Sequence, residues 1–172
     1  NLSKMKSAID DQTICVYTSY PNYPYGTCDP IDIIGPYCLK RDIPVHVDIA
    51  SEALFAIFVG KLEITPGITS VSADPHKYGL AGKGVSVLLF SSEKYRKHQF
   101  FVTSFWPGGL YGTPGVAGSR TGVYIASAWI SMMKLGYKGF QENARLVRDG
   151  TYFIIQLLKK LEDSLKNLAF RS

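Results

Sequence analysis

Short β-branched runs alternate with segments of helical spacing along this chain, and that alternation constrains the fold more than any other feature. Thr13-Ile-Cys-Val-Tyr-Thr18, Pro44-Val-His-Val-Asp48, Ile68-Thr-Ser-Val-Ser-Ala73 and Gly84-Val-Ser-Val-Leu-Leu-Phe90 each read as a strand. A helix opening at Asp29-Pro30 and running to about Arg41 separates the first two, with Asp29 as N-cap and Pro30 in the first turn. Gln99-Phe-Phe-Val102 is a further short strand. The order predicts an α/β fold with a mostly parallel sheet flanked by helices.

The spacing changes from Gly122 onward. Val123, Ala126, Ala128, Trp129, Met132, Met133 and Leu135 recur with helical period up to Gly136. Residues 137 to about 167 read as one long helix with Phe140, Leu146, Phe153, Ile154, Leu157, Leu158, Leu161 and Leu165 on its apolar side, and Gly150 is the expected place for a kink. With 172 residues the chain can bury one good core. The start at Asn1 suggests a piece of a longer protein.

The chemistry concentrates in Ser72-Ala-Asp-Pro-His-Lys-Tyr-Gly-Leu-Ala-Gly82, where Lys77 follows a strand inside a glycine-punctuated turn. Strand ends are where α/β folds keep their chemistry. A Schiff-base lysine must lose its proton, which burial and a neighbouring cation favour, and His76 and Lys83 are candidates for that cation. On a basic chain the two lysines also fit ordinary loop positions. Asp48 ends the preceding strand, as does the carboxylate that holds the ring nitrogen of pyridoxal 5′-phosphate (PLP) in enzymes that use this cofactor. Taken alone, it fits a helix N-cap equally well.

These residues carry a family resemblance. The chain resembles the group II PLP-dependent decarboxylase superfamily, and within it the lyases that cleave phosphorylated sphingoid bases. The likeness runs through Pro21-Asn-Tyr-Pro-Tyr-Gly26 with Asp29-Pro30, His46-Val-Asp48, Ser72 to Gly79 and Lys83-Gly84. It continues through Lys94-Tyr-Arg, Gln99 to Val102, Trp106-Pro-Gly-Gly-Leu-Tyr111 and Ala117-Gly-Ser-Arg120. Amino-acid decarboxylases share the Asp and the His-Lys pair, whereas the last block is what the lyases show.

The resemblance implies part of the large domain of the fold type I PLP-dependent transferases, with residues 1–136 as the C-terminal half of the cofactor-binding domain and 137–172 as the helix leading to a small C-terminal domain. It makes Lys77 the Schiff-base and proton-transfer residue, Asp48 the partner of the ring nitrogen, and His76 a cofactor-binding residue. Gly118 and Ser119 belong to a loop that reaches a cofactor phosphate across a homodimer interface. Lys83 binds the substrate phosphate and Tyr111 is catalytic. For Tyr111 a packing role competes, given eleven tyrosines, and Arg120 fits a structural ion pair as well as a ligand. The implied reaction is retro-aldol C2–C3 cleavage of sphingosine 1-phosphate to a long-chain aldehyde and phosphoethanolamine. The alternatives are amino-acid decarboxylation and a degenerate dimerising homologue.

Two departures from the family pattern bear on activity. Ile49-Ala-Ser-Glu-Ala53 stands where small residues usually follow the Asp, so Ile49 is expected to crowd the ring at a cost of about 1–3 kcal/mol. The stretch from Ser51 to Thr69 also looks shorter. Pro75 before His-Lys is a milder change.

Composition excludes other classes. The net charge of +5 comes from scattered Lys and Arg with no aromatic-interleaved patch, which argues against nucleic acid and suits an anionic substrate. Cys15, Cys28 and Cys38 lack metal-ligand spacing and read as reduced thiols, Cys15 in the core. His46, His76 and His98 are too dispersed for a metal site, and His98 is expected to be exposed. The run from Ala53 to Val59 is too short to span a bilayer, and no signal peptide is expected. Family members in eukaryotes are anchored at the endoplasmic reticulum through an N-terminal helix with the catalytic domain in the cytosol, and bacterial ones can be cytoplasmic.

Overall fold

The computed structural model describes residues 1–60 and 63–169. The elements, in order, are α1 (Leu2–Ala8), β1 (Val16–Ser19), α2 (Ile31–Leu39), β2 (Val45–Asp48), α3 (Ala53–Ala56), β3 (Ile68–Ala73), β4 (Val87–Phe90), α4 (Glu93–Arg96), β5 (Phe101–Trp106), β6 (Gly109–Thr113) and α5 (Val123–Ala169). The strands β1 to β4 form one sheet in sequence order, with β1, β2 and β3 parallel and β4 antiparallel to β3. The expected strands are all present: residues 68–73 are kept whole, those expected at 44–48 and 84–90 are trimmed, and those expected at 13–18 and 99–102 are shifted toward the C-terminus, to Val16–Ser19 and Phe101–Trp106. The expected mostly parallel sheet is what the main sheet shows.

Because side chains alternate across a strand, the register sorts residues into two faces. Val16, Val45 and Ile68 pair in one row, and Thr18, Val47 and Val71 in the next. That face is packed by Ile31, Ile34 and Cys38 of α2, spaced three and four residues apart so that they share one side of the helix. The opposite face carries Tyr17, His46 and Ser70 in one row and Ser19, Asp48 and Ser72 in another. Polar residues thus line one side of the same strands whose other side is core.

Helix α2 lies close to the entry of β3 because neither side has a Cβ there. A Cβ on Gly35 would meet the Pro66 carbonyl oxygen at 2.7 Å, and one on Gly67, whose φ is +96°, would run into the Gly35 backbone. The residue before the helix is Pro30, with no side-chain cap. Asp29 is therefore not the N-cap expected from sequence, and its carboxylate accepts the Ser19 amide at 2.9 Å instead, tying the helix start to the end of β1.

Cys15 is exposed rather than core, because β1 is an edge strand of the described sheet and Cys15 precedes it. His98 is exposed, as expected. The strand expected near residue 100 is longer and has a partner that sequence reading missed: β5 and β6 form a separate antiparallel hairpin. Phe105 is 97% exposed and Leu110 79%.

The long helix bends at Gly136, whose φ of +59° is not helical, and not at Gly150. The bend falls where the two helical spacings meet. Phe140 and Ala144 are buried, and Phe58 packs its ring against Tyr137 and Phe140. Leu146, Phe153, Ile154, Leu157, Leu158 and Leu161 are exposed, so among the described residues only Phe140 of the expected apolar side of α5 is buried. Leu165 lies beyond the described side chains. Among the described residues no helix is long and apolar enough to cross a membrane, and no cluster of His, Cys, Asp and Glu could hold a metal ion.

Candidate functional site

Asp48 is the last residue of β2, and Lys77 sits in the turn that follows the neighbouring parallel strand β3. Both stand at carboxyl ends of adjacent strands, the edge at which open α/β sheets bind ligands. The Asp48 carboxylate is held from two sides. Oδ1 accepts the Ala50 amide at 2.9 Å and the Ser72 hydroxyl at 3.2 Å, and Oδ2 accepts the Tyr17 hydroxyl at 3.2 Å. His46, on the same face, bridges Ser70 at 2.9 Å and Ser72 at 3.3 Å. Burial pushes the His46 imidazole below its usual value despite the opposing pull of Asp48.

The Lys77 turn closes on itself through the Lys77 amide to the Asp74 carbonyl and the Ala81 amide to the Pro75 carbonyl. Gly79 is required in it, since a Cβ there would strike Pro75 backbone and Leu54. The side chain of Lys77 is 39% exposed, and its Nζ lies 3.0 Å from Asp74 Oδ2. Burial raises the Asp74 carboxyl, but hydrogen bonds from Ser86 and Lys77 and the charges of Lys77 and His76 outweigh it and leave the group below its ordinary value. The neighbour that sequence reading gave Lys77 was a cation, and the structure supplies a carboxylate. His76 turns its Nδ1 to the Val85 carbonyl, with Nε2 3.9 Å from Asp74. It braces the acid and the turn.

Lys83 is exposed between two glycines that allow close approach to α5. A Cβ on Gly82 would lie 2.8 Å from Ser127 Oγ, and one on Gly84, at φ +108°, 2.8 Å from the Tyr124 ring. Three hydrogen bonds fasten this turn from the other side. The Gly82 amide donates to Ser127 Oγ at 2.6 Å, the Ser131 hydroxyl to the Gly79 carbonyl at 2.5 Å, and Arg120 Nη2 to the Gly84 carbonyl at 2.6 Å. Arg120 also lies over the Tyr124 ring, so its contacts are structural.

Tyr111 is on β6, its ring edge-on to Trp106 at 5.8 Å, and Gly118 (φ +67°) and Ser119 are exposed beyond the hairpin. Among the described residues no hydrogen bond or ring contact joins these three to Asp48 or Lys77. Ile49 does not crowd the polar face. It follows Asp48 on the other side of the chain and is buried with Val45, Val47 and Ala53 in the core. The stretch from Ser51 to Thr69 contains the short α3, and its residues 61 and 62 lie outside the described residues.

Sequence reading missed Tyr17, Ser72 and Asp74 as site residues. The signal was there as period-2 polar positions, 17 and 19, 46 and 48, 70 and 72, in three successive strands. Only a register could align them.

The pair fits the aldehyde and the ring nitrogen of a pyridine cofactor: an amine for the first, and for the second a carboxylate whose Oδ2 keeps spare acceptor capacity. The sheet, its antiparallel last strand and the helices are those of the fold type I PLP-dependent large domain. The chain belongs to the family described as the pyridoxal-dependent decarboxylase conserved domain, whose model matches residues 3–167. It is 45% identical over 162 residues to the sphingosine-1-phosphate lyase of Drosophila melanogaster, covering 90% of this chain and 30% of that one. Likeness to the rat sphingosine-1-phosphate lyase 1 is 39% over 173 residues, covering 95% and 29%. The solved sphingosine-1-phosphate lyase of Burkholderia pseudomallei superposes with TM-score 0.76 at 36% identity, covering 84% of this chain and 35% of that one. Glutamate decarboxylase of Lactobacillus brevis superposes equally well, TM-score 0.76, at 23% identity over 94% and 39%, a likeness of fold alone. The chain spans about a third of the length of these relatives.

Proposed function

We propose that the protein to which this chain belongs is a PLP-dependent carbon–carbon lyase that splits phosphorylated sphingoid bases, sphingosine 1-phosphate among them, into a long-chain aldehyde and phosphoethanolamine. The observation that carries the reading is the placement of Asp48 and Lys77 at the carboxyl ends of adjacent parallel strands. Identity to lyases of this type over most of the chain supports it against amino-acid decarboxylation.

When bound, PLP supplies an electron sink for the pair left at C2 as the C2–C3 bond breaks. Lys77 provides the amine that attaches the cofactor and a proton carrier near the reacting carbon. Its Nζ has to leave Asp74 Oδ2, 3.0 Å away, to take up that position. Asp48 holds positive charge on the ring nitrogen. His76 supports the turn beneath Lys77, and Lys83 meets the substrate phosphate as a mobile point charge. Tyr111, Gly118 and Ser119 belong to the hairpin and the loop after it, and we assign them to the site of a second copy, with Gly118 and Ser119 reaching its cofactor phosphate. Exposed apolar residues on both faces of the hairpin support a homodimer. We assign residues 1–136 to the second half of the cofactor-binding domain and 137–172 to the segment that leads toward a small domain. In a eukaryote the whole protein would act at the endoplasmic reticulum membrane with its catalytic part in the cytosol, and otherwise in the cytoplasm.

The test uses the full-length protein. Borohydride reduction in the presence of PLP followed by peptide mapping is expected to label Lys77, and sphingosine 1-phosphate to yield aldehyde and phosphoethanolamine. Lys77→Ala should lower the turnover by about 10³-fold or more. Label on another lysine would sink the site, and carbon dioxide from an amino acid with no aldehyde from sphingosine 1-phosphate would turn the reading to a decarboxylase.

A further inference from the structure

The hydrogen bonds around Asp48 have a fixed direction. A carboxylate only accepts, so the Ser72 hydroxyl spends its single proton on Oδ1. Ser72 Oγ must then accept from His46, which places the ring proton on Nε2. Nδ1 is left bare and accepts from the Ser70 hydroxyl. Burial of His46 favours this neutral ring. The relay runs from Ser70 through His46 and Ser72 and ends on Oδ1, which the Ala50 amide also occupies.

Oδ2 is different. Among the described residues its one hydrogen-bond donor is the phenol of Tyr17, on the next strand, two rows from the end of β1. The Tyr17 ring also lies on His46, with centroids 4.9 Å apart. We propose that Tyr17 is a positioning residue of this site: its phenol steadies Asp48 Oδ2, the oxygen left to bind a ring nitrogen, while the Ser70–His46–Ser72 relay fixes Oδ1. An oxygen with two lone-pair sites accepts from both the phenol and a ring N–H, so the two donors share it. The phenol also draws charge from the carboxylate and so sets how strongly the ring nitrogen is held. The proposal rests on Asp48 as the ring-nitrogen partner and adds a residue of the edge strand to it.

Tyr17→Phe tests it in the full-length protein, since Phe keeps the ring on His46 and removes only the hydroxyl. The expected result is a rise in the dissociation constant for PLP on the order of 5-fold, with a moved ¹⁵N resonance of the ring nitrogen in labelled PLP. Unchanged affinity and resonance, which a purely packing ring would give, overturn the proposal. A second measurement needs no cofactor. Burial first, and then the Asp48 charge and hydrogen bond, raise the Tyr17 phenol above its ordinary value. With ¹³C-labelled tyrosine its titration midpoint should fall in Asp48→Asn, and an unmoved midpoint refutes the pairing. A parent protein that takes up no PLP sinks the site reading instead, and the titration alone then decides whether Tyr17 holds Asp48.

Discussion

Asp74 shows how one carboxylate can organise a turn. It is 13% exposed, and Ser86, Lys77 and His76 all favour its charged form against the cost of burial. Its folded value lies below the ordinary 3.8, so its contribution to stability is present above that value and is lost as pH falls through the depressed one. Asp74→Asn should therefore lower stability near neutral pH by about 1 kcal/mol or less, since Lys77 is partly exposed and screened. The gap between variant and parent should close below about pH 4, and urea midpoints from pH 7 to 2.5 would reveal it. A gap that persists at the lowest pH would mean that the amide disrupts the turn by shape and not by charge. Ile49 makes a different point at the same scale. Its size, alarming beside Asp48 in sequence, is harmless because alternation sends it into the core.

At the scale of elements, the Lys77–Gly84 turn depends on a helix far away in sequence. Ser127 and Ser131 are one helical turn apart on α5 and reach Gly82 and Gly79. Replacing both with Ala should leave the fold intact and cost about 1–3 kcal/mol. The amides of residues 79–84 should then exchange about tenfold faster or more, and equal protection in both proteins would show that the turn stands without the helix. The strands β2 and β3 were legible because β-branched runs ended in chemistry-bearing residues, and the joint at Gly136 because two helical spacings met there. The hairpin was not legible, since Gly109-Leu-Tyr-Gly-Thr113 has little β-branched content and its pairing comes from β5. Asp29 was misjudged for the same reason: which donor a carboxylate meets depends on β1, which lies beside it only in space. Tyr17 belonged to a strand whose register nothing local specified.

The whole molecule leaves apolar surface open on two sides, the hairpin with Phe105 and Leu110 and the far half of α5 with Phe153, Leu157 and Leu161. Contiguous exposure of this kind marks interaction surface. Produced alone, residues 1–172 should bind a hydrophobic dye and self-associate, as seen by fluorescence and sedimentation, and the full-length protein should do neither beyond a discrete dimer. A well-behaved monomer would mean that these faces close on the chain itself.

The two-faced pattern of β2 has one more consequence. Val45 and Val47 point into the core while His46 and Asp48 point to the polar face. A slip of this strand by one residue would bury a carboxylate and an imidazole in an apolar layer and strand two valines outside it. A molecule that has mispaired here therefore does not persist as a folded copy with a scrambled polar face, and proofreading of that face is delegated to the apolar side of the same four residues.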